Sequence, residues 1–97
     1  DEGLIKVVTP SCDRHDVCYA CGRFNHVNRA ECDRLFLRDM LQACQHLQAS
    51  SRTQRLCRGT AKTFFLGVTL FGSAHYSQSG QVPSYCPEVK HCIASLP

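Results

Sequence analysis

Cysteine is the residue that most constrains this fold. The chain has eight cysteines in 97 residues, an even number and a share typical of chains that are crosslinked by disulfide bonds. In so short a chain this pattern indicates a disulfide framework formed in an oxidising compartment. We therefore expect a single domain over residues 1–97 and a secreted, extracellular protein. Because the sequence opens on Asp1 and shows no apolar leader, we also expect that a signal peptide has been removed.

Charge and hydropathy argue against two classes of partner or location. The formal net charge of +3 permits attraction to anionic lipid but does not indicate nucleic-acid binding, which is typical of strongly basic chains. The longest apolar run, "FFLGVTLFG", is far shorter than the ~20 residues that a transmembrane helix needs. We predict neither a nucleic-acid partner nor a membrane span.

Two helices are predicted before the middle of the chain. An apolar patch, "LIKVV", ends at Pro10, and residues 11–24 are predicted to be helical, with Ser11 or Asp13 as the N-cap. The clearest helix is predicted over 29–48, where apolar residues recur at helical spacing. The sequence at its start, "NRAE" with Asn28 and Glu31, resembles a capping box.

A third helix is predicted from Leu56 to Gly72, after the polar stretch "ASSRTQ" as a break. Gly67 would lower the stability of this helix. The rest of the chain is rich in Gly, Ser and Pro and is predicted to be loop. Strand patterns are weak throughout, so the sequence predicts an all-α fold.

The stretch "SCDRHDVCYACG" carries most of the potential chemistry. On a helix His15 and Tyr19 lie on one side, and Asp16 lies about 100° further round. If the first two helices pack antiparallel, Asp33 could accept a hydrogen bond from one imidazole nitrogen. That contact would fix the tautomer and leave the other nitrogen of His15 free as a base. The alternative is that His15 and Asp16 form a solvated polar surface.

Three further patterns have both a functional and a structural interpretation. Zinc could be bound by a group with suitable donor atoms, namely Cys18, Cys21, His26 and Cys32, although a secreted chain would oxidise these thiols. An aromatic and aliphatic stripe could dip into a membrane but is more often core; it consists of Phe64, Phe65, Val68 and Phe71. A basic stripe could attract anionic head groups or be a solvated helix face; its members are Arg52, Arg55, Arg58 and Lys62.

Two motifs resemble those of the secreted phospholipases A2. The active-site helix of that family has the signature Cys-x-x-His-Asp-x-Cys followed by Tyr, which the chain matches at Cys12, His15, Asp16, Cys18 and Tyr19. A second match is the Cys-Asp pair in "ECDRLFLRDM", here Cys32 and Asp33. Together with the later "GVxxFG…Y" segment, these motifs are similar to those of the cone-snail conodipines and of the bacterial and fungal branch of the family. The resemblance covers roughly residues 11–76.

The resemblance implies a fold and a mechanism. The fold would be a disulfide-rich phospholipase A2-like fold with two long antiparallel helices that carry the His/Asp pair. His15 would take a proton from a water that attacks the sn-2 ester carbonyl of a phospholipid. Asp33 would orient His15, and Tyr19 would support Asp33. Asp16 would bind Ca²⁺, a hard ion suited to oxygen ligands. The expected protein is a calcium-dependent secreted phospholipase A2 that acts at a phospholipid membrane surface.

One departure from the family pattern concerns calcium. Family members carry a calcium loop some twenty residues before the histidine, whereas only fourteen residues precede His15. Asp16 alone cannot supply the six to eight oxygens that Ca²⁺ prefers. Either a second, disulfide-linked chain from the same precursor supplies the loop, or the loop has been lost. In the second case the chain would be a non-catalytic toxin or binding protein with a phospholipase fold.

The resemblance also implies disulfide pairs. Cys18 with Cys32 would match a helix-to-helix bridge of the family, and the other candidates are Cys44 with Cys57 and Cys86 with Cys92. Cys12 and Cys21 then remain on one helix. Their separation of roughly 13 Å is too long for a disulfide, which needs Cα atoms within about 7 Å. Either the pairing differs, with Cys86 or Cys92 involved, or at least one of Cys12 and Cys21 reaches another chain.

Overall fold

Three α-helices make up the described part of the protein. The structure, a computed structural model, describes residues 2–22, 25–72 and 76. Helix α1 spans Glu2–Cys21, α2 spans Arg29–His46 and α3 spans Ser51–Phe71, and no strand occurs in these ranges. The predicted all-α class is confirmed. The predicted tail loop, with Cys86 and Cys92, lies outside the described residues.

Helices α1 and α2 run antiparallel. Near the end of α1, Cys18 is bonded to Cys32 at the start of α2. Near the start of α1, Leu4 packs with Cys44 close to the end of α2. Since the order of contacts reverses along the two helices, the predicted antiparallel arrangement is confirmed. It places the last two turns of α1 against the first two turns of α2.

The core is built where all three helices meet. Val8, Phe36, Met40 and Ala61 form one buried cluster with residues from α1, α2 and α3. Ala61 is fully buried, and its small side chain allows α3 to lie close to α2. This cluster lies directly beside the imidazole of His15, whose ring centroid is 4.4 Å from that of Phe36.

Two disulfides fasten the helix ends. Cys18–Cys32 and Cys44–Cys57 have Cα–Cα distances of 5.8 and 5.7 Å, within the usual range for a disulfide. Loops of this size give each bond a stabilising effect of about 3 kcal/mol through the unfolded chain. The first joins α1 to α2 and the second joins α2 to α3.

The remaining cysteines exclude two alternatives that the sequence left open. Cys21 is disulfide-bonded, so of the two possible interchain cysteines it is not the one that remains available for a second chain. Cys12 is the free cysteine of the described residues. The zinc interpretation is also wrong, because Cys18, Cys21 and Cys32 all have their sulfur in disulfide bonds.

Helix α1 begins well before the position predicted for it. Residues 2–10 belong to the same helix, with Pro10 inside it. A proline within a helix removes one backbone hydrogen bond, and the burial of Leu4 and Val8 offsets this loss. The apolar pattern of residues 2–10 is interrupted at Ser11, which is buried although it is polar. For this reason the hydrophobic periodicity does not predict one continuous helix across this position.

The caps explain the bounds of α2 and α3. Asn28 is the N-cap of α2, and its side chain accepts a hydrogen bond of 2.8 Å from the Glu31 amide, in line with its predicted role. Helix α3 begins at Ser51, earlier than predicted, because Ser50 caps it by accepting from the Thr53 amide. The stretch "ASSRTQ" therefore starts the helix rather than separating two elements. Gly72 follows the last residue of α3, as predicted.

Candidate active site

The centre of the candidate site is a buried triad of hydrogen-bonded side chains. His15 Nε2 lies 2.8 Å from Asp33 Oδ1, and the Tyr19 hydroxyl donates to the same oxygen at 2.5 Å. His15 and Asp33 are each about 5% exposed in their side chains. A buried carboxylate needs partners for its charge, and these two donors supply them.

Local structure explains why these residues meet. His15 and Tyr19 are one turn apart on α1, and their rings lie 4.2 Å apart. Asp33 directly follows Cys32, whose disulfide to Cys18 fixes the start of α2 against this part of α1. The bridge therefore holds the carboxylate opposite the imidazole.

The tautomer of His15 follows from this contact. Asp33 Oδ1 can only accept, so Nε2 is the nitrogen that donates. Its other nitrogen, Nδ1, has no hydrogen-bond partner among the described residues. In the neutral imidazole Nδ1 then carries a lone pair, which is the state that a general base requires.

Tyr19 remains a donor to Asp33 over the physiological pH range. Burial raises the pKa of Tyr19, and the hydrogen bond to Asp33 and the negative charge of that residue raise it further. Because the phenol keeps its proton, it supports the Asp33 carboxylate without competing for the proton on His15.

An open cavity of about 310 Å³ lies beside His15. Its walls come from α1, α2 and α3 and are largely apolar; the lining residues are Cys12, His15, Asp16, Phe36, Thr63, Phe64, Gly67 and Val68. Small-molecule sites have volumes of about 300–1,000 Å³ and apolar walls with a few polar groups. This cavity has both properties, and its ionisable groups are the imidazole of His15, the carboxylate of Asp16 and the thiol of Cys12.

Asp16 is exposed and lines the same cavity. Its carboxylate is a suitable donor for a hard cation. Within residues 2–22, 25–72 and 76, however, no three side chains of His, Cys, Asp or Glu come together as a metal site. The described residues therefore fit calcium in donor type but not in donor number.

Cys12 lies one turn before Asp16 and is half-buried at the cavity. Burial raises the pKa of its thiol, and the charges of Asp16 and Asp13 raise it further. The thiol is therefore un-ionised at neutral pH.

Asp39, on the next turns of α2, belongs to a different contact. Its two carboxylate oxygens accept from Arg14 Nε and Nη2 at 2.6 and 2.8 Å. It is buried and satisfied by a bidentate ion pair. Asp33, rather than Asp39, is thus the acid that contacts His15.

Gly72 contributes to the site in a way that its sequence position does not predict. A Cβ added there would lie 2.6 Å from the Tyr19 hydroxyl oxygen. Its φ of −81° is ordinary for any residue, so the glycine is required by close approach and not by backbone conformation. Periodicity assigned Gly72 only as the end of α3.

Gly72→Ala is expected to displace the Tyr19 hydroxyl from Asp33. Overpacking of this kind costs about 1–3 kcal/mol, and we expect a lower melting temperature. Gly59→Ala is the matched control, because an added Cβ there meets no atom within 4 Å. Equal melting temperatures for Gly72→Ala and wild type would show that Tyr19 is not fixed by this contact.

Comparison with known proteins identifies the chain. The family model described as prokaryotic phospholipase A2 matches residues 5–72, which is more than half of the chain and contains all three members of the triad. The chain belongs to this family. As a member of the prokaryotic phospholipase A2 family it is a phospholipase A2 enzyme, and the predicted resemblance is confirmed.

Cone-snail proteins are among its relatives. Conodipine-P3 and Conodipine-P2 of Conus purpurascens are each 28% identical over 128 aligned residues, covering 87% of this chain and 71% of each relative. The Conodipine-M alpha chain of Conus magus is 44% identical over 41 residues, covering 42% of this chain and 53% of the relative. No solved structure gives a significant match.

The surface of this phospholipase A2 has distinct polar and apolar regions. The basic stripe is exposed; it consists of Arg52, Arg55, Arg58 and Lys62. In the apolar stripe Phe64 and Val68 pack against the core, whereas Phe71 is 75% exposed. None of the described helices is long and apolar enough to cross a bilayer.

Proposed function

We propose that this chain is the catalytic chain of a calcium-dependent, secreted phospholipase A2 that hydrolyses the sn-2 ester of phospholipids. The observation that supports this most is the buried His15–Asp33 pair, whose Nδ1 is left without a described partner beside an apolar cavity. Secretion is supported by the disulfides at Cys18, Cys21 and Cys44, since such bonds persist in oxidising compartments.

The first chemical step is a proton transfer to His15. A water in the cavity gives its proton to Nδ1 as its oxygen attacks the sn-2 carbonyl carbon, so the imidazole becomes a cation. Asp33, 2.8 Å from Nε2, stabilises that cation, and Tyr19 holds the carboxylate in position. When the tetrahedral intermediate collapses, Nδ1 returns the proton to the leaving glycerol oxygen, which yields a fatty acid and a lysophospholipid.

The membrane surface is the proposed source of substrate. Leu70 and Phe71 are 69% and 75% exposed, within one turn of Gly67 and Val68, which line the cavity. Exposed apolar side chains one helical turn from the lining of an apolar cavity favour contact with lipid. A phospholipid could then enter with its acyl chain along the wall formed by Phe36 and Phe64.

Calcium requires ligands from beyond the described residues. We assign Asp16 as one carboxylate ligand, because it lies at the cavity beside His15. The remaining oxygens would come from a second chain of the same precursor, linked through Cys12, whose thiol is free. The name of one relative, the Conodipine-M alpha chain, is consistent with a phospholipase of more than one chain.

A non-catalytic binding protein or toxin is the second candidate function. It is favoured by one observation, namely that the described residues do not form a calcium site by themselves. The buried, fully oriented His15–Asp33 pair argues for the enzyme, because a binding surface does not need an ionisable pair kept out of water.

Hydrolysis of phosphatidylcholine tests the two candidates. The native protein, with any disulfide-linked partner retained, is expected to release labelled fatty acid from the sn-2 position and to lose this activity when calcium is chelated. Release from the sn-1 position would contradict the assignment. Binding to vesicles without any release would favour the non-catalytic candidate.

Calorimetry of calcium binding is the control for the two-chain arrangement. The isolated chain is expected to bind Ca²⁺ weakly, since one carboxylate and several waters differ little from the hydrated ion. Asp16→Asn should abolish the calcium-dependent activity of the assembly without altering the fold. Tight binding by the isolated chain would instead place the missing oxygens within residues 1–97.

A further inference from the structure

Gly67 lies inside α3, where glycine is an unfavourable residue. Glycine lowers helix stability relative to alanine because its unfolded state is more flexible. Close packing often requires such a glycine, but an added Cβ at Gly67 would meet no atom within 4 Å. Packing and backbone conformation therefore give no reason for a glycine at this position.

The surroundings of Gly67 suggest a different reason. Gly67 lines the cavity beside His15, and so do Thr63 and Phe64 one turn earlier. Helical side chains lean toward the preceding turn. A side chain at position 67 would therefore extend over Thr63 and Phe64 and occupy part of the cavity.

The cavity has little volume to spare. At about 310 Å³ it is at the lower end of the range for small-molecule sites, so a leucine side chain would remove a substantial fraction of it. The neighbouring walls are apolar, with Phe36, Phe64 and Val68 among them. Hydrocarbon, rather than a polar head group, is the part of a lipid that suits this wall.

We propose that Gly67 is a specificity-determining residue, whose missing side chain keeps open the part of the cavity that accepts long acyl chains. The proposal rests on the proposed phospholipase function, since the acyl chain is that of the cleaved ester. In this proposal, glycine at position 67 lowers the stability of α3 but leaves room in the cavity for the acyl chain.

Substitution of two glycines of the same helix tests this proposal. Gly67→Ala and Gly67→Leu are compared with Gly59→Ala and Gly59→Leu. Gly59 is exposed, lies two turns earlier in α3, does not line the cavity, and also has no atom within 4 Å of an added Cβ. Each variant is assayed on two phosphatidylcholines in the same mixed micelles, which differ only in a palmitoyl or a hexanoyl sn-2 chain.

The expected result is a change in chain-length preference at one position only. The ratio of kcat/KM for the palmitoyl over the hexanoyl substrate should fall by about tenfold or more in Gly67→Leu and stay unchanged in Gly59→Leu. Both alanine variants should melt a few degrees higher than wild type, by roughly 4 °C. An unchanged ratio in Gly67→Leu would overturn the proposal.

A binding measurement separates this proposal from the proposed function. Calorimetry gives the Kd of dodecylphosphocholine, below its micelle concentration, for His15→Gln alone and combined with Gly67→Leu or Gly59→Leu. We expect about tenfold weaker binding with Gly67→Leu and no change with Gly59→Leu. This result would support the role of Gly67 even if wild type hydrolysed no phospholipid. Equal Kd values, or no binding by His15→Gln, would overturn the proposal whatever the activity.

Discussion

The His15→Gln variant is expected to lose hydrolysis of the sn-2 ester while it remains folded. Glutamine can still donate a hydrogen bond to Asp33, but its amide has no basic nitrogen to take a proton from water. A positioned general base contributes about 10²- to 10⁴-fold to a rate. We therefore expect kcat to fall by at least about 10²-fold, measured as release of labelled fatty acid from phosphatidylcholine.

Two controls separate lost chemistry from lost structure. The His15 ring packs against Tyr19 and Phe36, so thermal unfolding of the variant must show a cooperative transition. His46→Gln makes the same substitution at an exposed position of α2 and should leave kcat unchanged. Full activity in His15→Gln would mean that another group takes the proton.

The antiparallel pairing that carries this site could be predicted from the sequence. Apolar periodicity marked α2, and the family motif placed His15 and Asp33 on neighbouring helices. Once the helices are antiparallel, the Cys18–Cys32 bridge leaves the imidazole within reach of the carboxylate. Helical spacing allowed this contact, and the resemblance to the phospholipase A2 family, which also implied the bridge, was needed to predict it.

The first half of α1 could not be predicted in this way. Leu4 and Val8 lie on the same buried face as Ser11 and His15, but the two polar residues interrupt the apolar pattern. Pro10 adds a second misleading signal, because proline usually marks a helix boundary. Residues 2–10 are helical because Leu4 and Val8 are buried against α2 and α3. This burial is not visible in the local sequence pattern.

Close approaches between distant residues were also beyond sequence reasoning. The contact of Gly72 with the Tyr19 hydroxyl depends on how the end of α3 packs on α1. The ion pair of Arg14 with Asp39 likewise depends on side-chain direction across two helices. Only the structure shows that Asp39 is paired with Arg14 and that Asp33 is the acid facing the imidazole.

Asp33→Asn is expected to separate the charge of the site from its geometry. Both His15 Nε2 and the Tyr19 hydroxyl lie on the same oxygen, Oδ1 of Asp33. In the variant, the side-chain oxygen of the new asparagine must take the position of Oδ1, because it can accept from both donors. The NH₂ group of the amide cannot accept from either of them. The variant thus keeps the tautomer of His15 but loses the negative charge that stabilises the imidazolium. We expect kcat to fall on the order of 10²-fold, which is about 2.7 kcal/mol, in assays on mixed micelles.

Two controls show whether the loss of kcat in Asp33→Asn is specific: the KM of that variant and the kcat of Asp39→Asn. Asp33 lies behind His15 and does not line the cavity, so KM should change by no more than about twofold. Asp39→Asn makes the same substitution on the same helix, but Asp39 is paired with Arg14. Because Arg14 is 43% exposed, we expect that variant to lose about 1 kcal/mol of stability and to keep its kcat. A normal kcat in Asp33→Asn, with a reduced one in Asp39→Asn, would reverse the roles of the two acids.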